Sequence, residues 1–146
     1  MPVPKVEFHT QVPDRLLYAC RLLRKAAASG AQVLVTADEE TLAQVDQMLW
    51  TFSAIDFVPH CFADAPPNLL ENTPIVLSAS PPAQTQLGIL LNLGPDLPAG
   101  FEQFARIIEI VSEDMTDRQQ ARKRWKRYAS AGCALSSHDL QAATTA

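Results

Sequence analysis

The chain has 146 residues, 47% hydrophobic and 19% charged, which supplies one buried core and excludes a wholly disordered polypeptide. Its formal net charge of −4 gives no whole-molecule case for binding nucleic acid, and no apolar run is long enough to span a bilayer. The opening Met1-Pro2-Val3-Pro4-Lys5 shows no basic leader before an apolar stretch, so a cytoplasmic protein with no membrane partner is expected.

Residues 5–10 alternate apolar and polar side chains and predict a first strand. Asp14, after Pro13, opens a helix in which Leu16, Cys20, Leu23 and Ala27 share one face, and Gly30 stops it. Residues 31–37, with Val33, Leu34 and Val35, form a nearly continuous apolar run, the mark of a strand covered on both faces. Asp38 caps a second helix that reaches about Phe52. Its first turn carries Glu39 and Glu40, which complement the helix dipole, and Leu42, Val45, Leu49 and Phe52 form its buried stripe.

A connection containing Pro59, Pro66 and Pro67 leads to another buried strand at 74–79, and a fourth apolar run, 87–93, follows the Pro81-Pro82 break. Phe101 and Phe104 mark a short helical segment before a fifth strand at 106–111. Ser112 or Thr116 caps a final helix that runs to about Ala131 and stops at Gly132. Residues 141–146 have nothing to bury and form a frayed tail, leaving 1–140 as a single domain. Apolar strands alternating with helices predict an α/β fold, a three-layer open and mostly parallel sheet with helices on both faces, Rossmann-like in plan.

The chemistry that such a fold often carries is not written in the loops. Cys20, Cys61 and Cys133 form none of the close pairs that zinc or thiol redox motifs require, and His9, His60 and His138 are equally scattered, so no metal or cofactor is expected. Thr10-Gln11-Val12-Pro13 after the first strand lacks the glycines that let a backbone approach phosphate, and Asp38-Glu39-Glu40 after the second would repel one. Ser78, Ser80 and Ser112 lie in no nucleophile elbow. No catalytic residue is assigned, and the chain is read as a non-enzyme.

Charge is segregated along the chain. From residue 26 through residue 105 there are nine carboxylates and no lysine or arginine, whereas Met115–Ser130 holds six bases against Asp117 alone. At 100° per residue, with Arg118 as zero, Arg122 falls near 40°, Lys126 near 80° and Trp125 near −20°, so three bases and an indole share a stripe. Ala121 and Tyr128 continue towards the apolar side, while Lys123 and Arg127 point away. Two arrangements satisfy this pattern. Either Trp125 and Tyr128 are ordinary core anchors beside a solvated basic face, or the stripe borders a groove for an acidic peptide that ends in a hydrophobic residue and a free carboxylate. On the preceding long helix, Trp50 leaves the buried stripe, and Phe57, Val58, Pro59 and His60 follow closely, so an aromatic patch or a loop-covering contact forms there.

Together these stretches resemble the chi subunit family of bacterial DNA polymerase III, a clamp-loader accessory family. The residues that carry the resemblance are Val33-Leu34-Val35 before an acidic helix start, Val45-Asp46-Gln47-Met48-Leu49-Trp50, Phe57-Val58-Pro59-His60, and Ala121-Arg122-Lys123-Arg124-Trp125-Lys126-Arg127-Tyr128 closing on Gly132. The resemblance implies an α/β fold similar to nucleotide-binding domains but with no nucleotide site. It implies an adaptor with two partners. The psi subunit of the clamp loader would meet Trp50 and Phe57, with Val58 and His60 nearby. The acidic C-terminal tail of single-stranded DNA-binding protein would meet Arg118, Arg122, Trp125 and Lys126 over an apolar floor at Val111, so that DNA is contacted only indirectly. Two other readings remain open at this point: a Rossmann-like nucleotide-binding protein or enzyme, and a direct single-stranded DNA binder acting through the basic helix.

Overall fold

The computed structural model describes residues 3–51, 57–82 and 87–140. Seven strands, β1 (Lys5–Val12), β2 (Val33–Thr36), β3 (His60–Phe62), β4 (Ile75–Ser78), β5 (Ile89–Asn92), β6 (Arg106–Ser112) and β7 (Ala134–Asp139), form one sheet in the order β3-β4-β2-β5-β6-β1-β7. Every pairing is parallel. Four helices, α1 (Arg15–Ala28), α2 (Glu39–Thr51), α3 (Pro67–Asn72) and α4 (Met115–Ser130), connect the strands. A parallel sheet must be covered on both faces, and the period-two alternation of its strands builds two cores. Val33, Val35, Leu77, Ile108 and Ile110 pack under α1 and α2, whereas Phe8, Leu34, Val76, Ile107 and Val111 pack with Phe101, Phe104 and the Ala121 and Tyr128 of α4. The expected three-layer α/β architecture is therefore present.

Local chemistry explains the helix bounds. The Asp14 side chain accepts from Leu17 N at 3.1 Å and starts α1, and Gly30 at φ +84° turns the chain after it. Cys20 and Leu23 are fully buried, each large apolar side chain contributing roughly 1.5–3 kcal/mol. Burial pushes the Cys20 thiol up to about 11, so it is a packing group. Asp38 accepts from both Thr41 N and Thr41 Oγ1 at the start of α2, and Leu42, Val45 and Leu49 form the buried stripe. Phe52 and the tail 141–146 lie outside the described residues.

Three expectations need correction. The sheet has seven strands among the described residues rather than five: β3 is too short to show a pattern, and β7 is an edge strand with mostly exposed side chains and no apolar alternation. The proline-rich connection contains α3, with Pro67 as its first residue, where the missing N–H costs nothing. The cap of α4 is Asp114 rather than Ser112 or Thr116. Its carboxylate accepts from Asp117 N at 3.0 Å, while the Asp117 carboxylate accepts from Ser112 N at 2.8 Å and the Ser112 hydroxyl accepts from Asp114 N at 3.2 Å, so Ser112 braces the turn that Asp114 caps.

Strand β1 carries one irregularity at its carboxyl end. Its register against β6 shifts between His9 and Val12, with Gln11 at φ +60°. The extra residue is a bulge: Val6 and Phe8 face α4, whereas Val12, which strict alternation would put on the same face, joins the core under α1. Gln11 is thereby released at the carboxyl end of the sheet.

Candidate functional site

Beside α4, at the carboxyl ends of β6, β1 and β7, lies a groove of about 340 Å3. Val111 of β6 and Phe8 of β1, both buried, form its floor with Ala121. The Trp125 ring packs on Phe8, centroids 5.1 Å apart, and forms one wall. Arg118 and Arg122, one turn apart on α4, stand over that floor. The groove thus unites Val111, Arg118, Arg122 and Trp125. Lys126 is exposed on α4 but does not line the groove.

Residues not singled out in the sequence close the opposite wall. Thr10 and the bulged Gln11 come from β1, and Ser137 and Asp139 from β7. Register places Phe8 opposite Ser137 and Thr10 opposite Asp139, which is why those side chains share the α4 face. Guanidinium groups on one wall and the Asp139 carboxylate on the other polarise the groove. An incoming carboxylate is drawn to α4 and turned away from β7, while the floor accepts an apolar side chain.

The basic helix also contains a base that is not on its surface. Arg124 is 3% exposed, and its Nε donates to Glu109 Oε1 at 3.0 Å, while its Nη1 donates to the Pro95 carbonyl at 2.9 Å. Glu109 also accepts from Tyr128 OH at 2.7 Å and from Asn92 Nδ2 at 2.9 Å. Burial pushes the Glu109 carboxyl upward, opposed chiefly by the Arg124 charge; burial and Glu109 both push the Tyr128 phenol up, so it stays a donor. This network pins α4 onto β5 and β6 from the side opposite Arg122. A signal for it exists in the sequence: on the helical wheel Arg124 falls within about 40° of Tyr128, and Glu109 interrupts an otherwise apolar strand.

The second predicted cluster lies on α2 and the segment before β3. Trp50 is 57% exposed and Phe57 60% exposed, with ring centroids 5.1 Å apart, and the His60 ring lies 5.0 Å from Trp50. His60 is held between two acceptors, the Val58 carbonyl at 2.7 Å and Asp46 Oδ1 at 2.9 Å. Val58 requires correction as a surface residue. Its side chain is 1% exposed within the core under α1 and α2, so it anchors the segment that presents Phe57.

At the carboxyl ends of β2, β4 and β5, where open α/β sheets often take a nucleotide, there is a cavity of about 500 Å3 whose walls include Asp38, Glu39 and Asp96. The Thr41 amide of α2 is already bonded to Asp38. These groups oppose a phosphate rather than attract one. Among the described residues no group of three or more His, Cys, Asp or Glu side chains could hold a metal ion, and no helix is long and apolar enough to cross a membrane.

Comparison with known proteins places these features in a family. A family profile described as DNA polymerase III chi subunit, HolC, matches residues 3–136. The chain is 35% identical over 127 residues to DNA polymerase III subunit chi of Pseudomonas aeruginosa, covering 86% of this chain and 87% of that protein. It is 31% identical over 124 residues to the protein of the same name from Haemophilus influenzae, with coverage of 84% and 85%. For the Escherichia coli protein the figures are 27% over 115 residues, with 77% of each chain covered. A profile match over most of the sequence, joined by a relative this similar, means that the chain belongs to the DNA polymerase III chi subunit family.

Proposed function

We propose that the chain is a non-enzymatic adaptor of the replicative polymerase, an accessory subunit that links the psi subunit of the clamp loader to the acidic C-terminal tail of single-stranded DNA-binding protein. The observation that supports this reading best is the α4 groove, where Arg118 and Arg122 border an apolar floor of Val111 and Phe8. A peptide with carboxylates and a terminal hydrophobic residue satisfies both parts at once. Arg122 occupies the centre, one turn from Arg118 and beside Trp125, where its guanidinium can hold a carboxylate through two parallel hydrogen bonds. Lys126, exposed one turn further along, adds longer-range attraction. The exposed Trp50–Phe57 pair, 5.1 Å apart, supplies the separate apolar surface for psi, with His60 buttressing Trp50.

The test is fluorescence anisotropy with a labelled tail peptide. Arg122→Ala weakens binding by about 1.5–3 kcal/mol, the scale of a charge-assisted hydrogen bond, whereas Lys123→Ala, on the far side of α4, changes it by much less. Equal effects of the two substitutions would reduce the basic helix to a solvated face and remove the site.

A further inference from the structure

Arg15, Arg106 and Arg124 each bind groups on or beside the sheet. Arg15 donates to the carbonyls of Ile110 and Leu93, Arg106 clasps Glu7, and Arg124 is paired with Glu109. Arg21 and Lys25, with Arg24 beside them, belong to a different surface. They project from exposed positions of α1 around a concavity of about 650 Å3, roughly twice the α4 groove in volume. It opens on the other face of the sheet. α1 packs over β6 and beside α2, leaving a gap between the helix and the β7 edge whose walls are Leu17 and Leu22 on one side and His9 and Leu140 on the other.

The pattern within this gap is specific. Leu17, Arg21 and Lys25 recur every four residues and form one row of the helix, and Tyr18 and Leu22 form the adjacent row. Apolar and basic side chains therefore run side by side, and none of the lining residues carries a carboxylate. The nearest acid on β1, Glu7, is held by Arg106 at 2.8 Å. Tyr18 is fixed by a hydrogen bond between its hydroxyl and His9 Nδ1, so its ring lines the wall and does not stand free as a stacking platform.

We propose that this α1 concavity is a second docking site, for an acidic peptide segment that carries a large apolar side chain. Charge complementarity selects the acidic partner, and the leucine walls select the apolar residue. A nucleic acid fits less well, because the leucine walls beside the basic side chains give a sugar-phosphate backbone nothing to pair with and the Tyr18 ring, tied to His9, is not free to stack on a base. The inference does not depend on the tail reading of the α4 groove.

A labelled peptide of alternating aspartate and leucine, titrated calorimetrically into the full chain, tests it. Two sites are expected. Arg21→Glu with Lys25→Glu weakens one by about tenfold or more, and peptide addition protects the amides of 17–25 from hydrogen exchange in the unsubstituted chain but not in this double variant. Arg122→Ala removes the other. A control with the same charge change, Lys123→Glu with Arg127→Glu, keeps the α1 site; if it abolishes that site equally, only general charge is at work and the proposal fails. A single site lost with Arg122→Ala would overturn the α1 site and leave the tail groove standing, and a single site lost with the α1 pair would do the reverse. Binding seen only after removal of 141–146 would assign the concavity to the chain's own end, self-association abolished by the α1 pair would assign it to a second copy, and tighter binding of oligothymidylate than of the peptide would assign it to nucleic acid. Each of those three results overturns the proposal.

Discussion

A guanidinium over an apolar floor does two things that respond differently to salt. In the proposed tail complex the Arg122 contribution is electrostatic and is expected to fade as ionic strength rises, because a Debye length of about 8 Å at physiological salt shrinks to about 3 Å at 1 M. The contribution of Trp125, which packs on Phe8 at the groove wall, is apolar and persists. Trp125→Ala therefore lowers tail affinity at low and high salt alike, while the deficit of Arg122→Ala narrows with salt; anisotropy titrations at two ionic strengths separate them. Equal salt dependence in the two variants would contradict this division.

Another residue pair sets part of the acid response. Arg106 Nε and Nη2 donate to the two Glu7 oxygens at 2.9 and 2.8 Å, and this pairing first of all holds the Glu7 carboxyl below its ordinary value of 4.5. A lowered value stabilises the fold fully above pH 4.5 and loses that stabilisation as the pH falls through the folded-state value. The pair is partly solvated, so its worth is at most about 1 kcal/mol. Glu7→Gln costs that amount at neutral pH and flattens the decline below pH 4.5, read by urea melts across the acid range.

At the scale of elements, α4 depends on a buried ion pair for its seat. Removing one partner of such a pair costs about 3–5 kcal/mol because the other charge is stranded, whereas replacing both by apolar groups of similar volume is often near neutral. Arg124→Met accordingly destabilises strongly in urea unfolding, and adding Glu109→Leu recovers much of the loss. Trp50→Ala is expected to behave oppositely. With the side chain 57% exposed, it changes stability by under about 1 kcal/mol while abolishing psi binding in a pulldown. A loss near the roughly 3–5 kcal/mol of a core aromatic would make Trp50 a packing residue.

The elements also show which features a sequence can carry. The α4 stripe was legible because helix geometry fixes where Arg118, Arg122 and Trp125 fall relative to one another, and Trp50 stood out because it broke the Leu42, Val45, Leu49 stripe. The opposite wall of the groove was not. β7 reads as polar because an edge strand buries little, so Ser137 and Asp139 carry no pattern, and Gln11 reaches the groove only through a bulge that depends on pairing with β6, far away in sequence. Val58 looked like part of the aromatic patch because adjacent residues in an extended segment alternate between faces, and only tertiary packing decides which face is outward. Arg124 counts among the six bases of the last helix, and its burial follows from an angle that puts it beside Tyr128.

Across the whole molecule, charge and topology keep the two proposed surfaces apart. The psi patch lies on α2 and before β3, at the opposite edge of the sheet order from β1 and β7, which form the groove. The aromatic patch lies within the acidic central segment, which also carries the carboxylates around the strand-end cavity, whereas the groove is bordered by the basic helix. Calorimetry with micromolar ATP or GTP is therefore expected to show no binding; a saturable heat would revive the nucleotide reading.

An adaptor of this kind requires its two surfaces to act independently within one molecule. Sedimentation of the chain with purified psi and single-stranded DNA-binding protein measures this directly. A ternary complex is predicted for the unsubstituted chain, with Arg122→Ala losing only the DNA-binding protein and Trp50→Ala with Phe57→Ala losing only psi. Loss of both partners from either variant, or of neither, would contradict it.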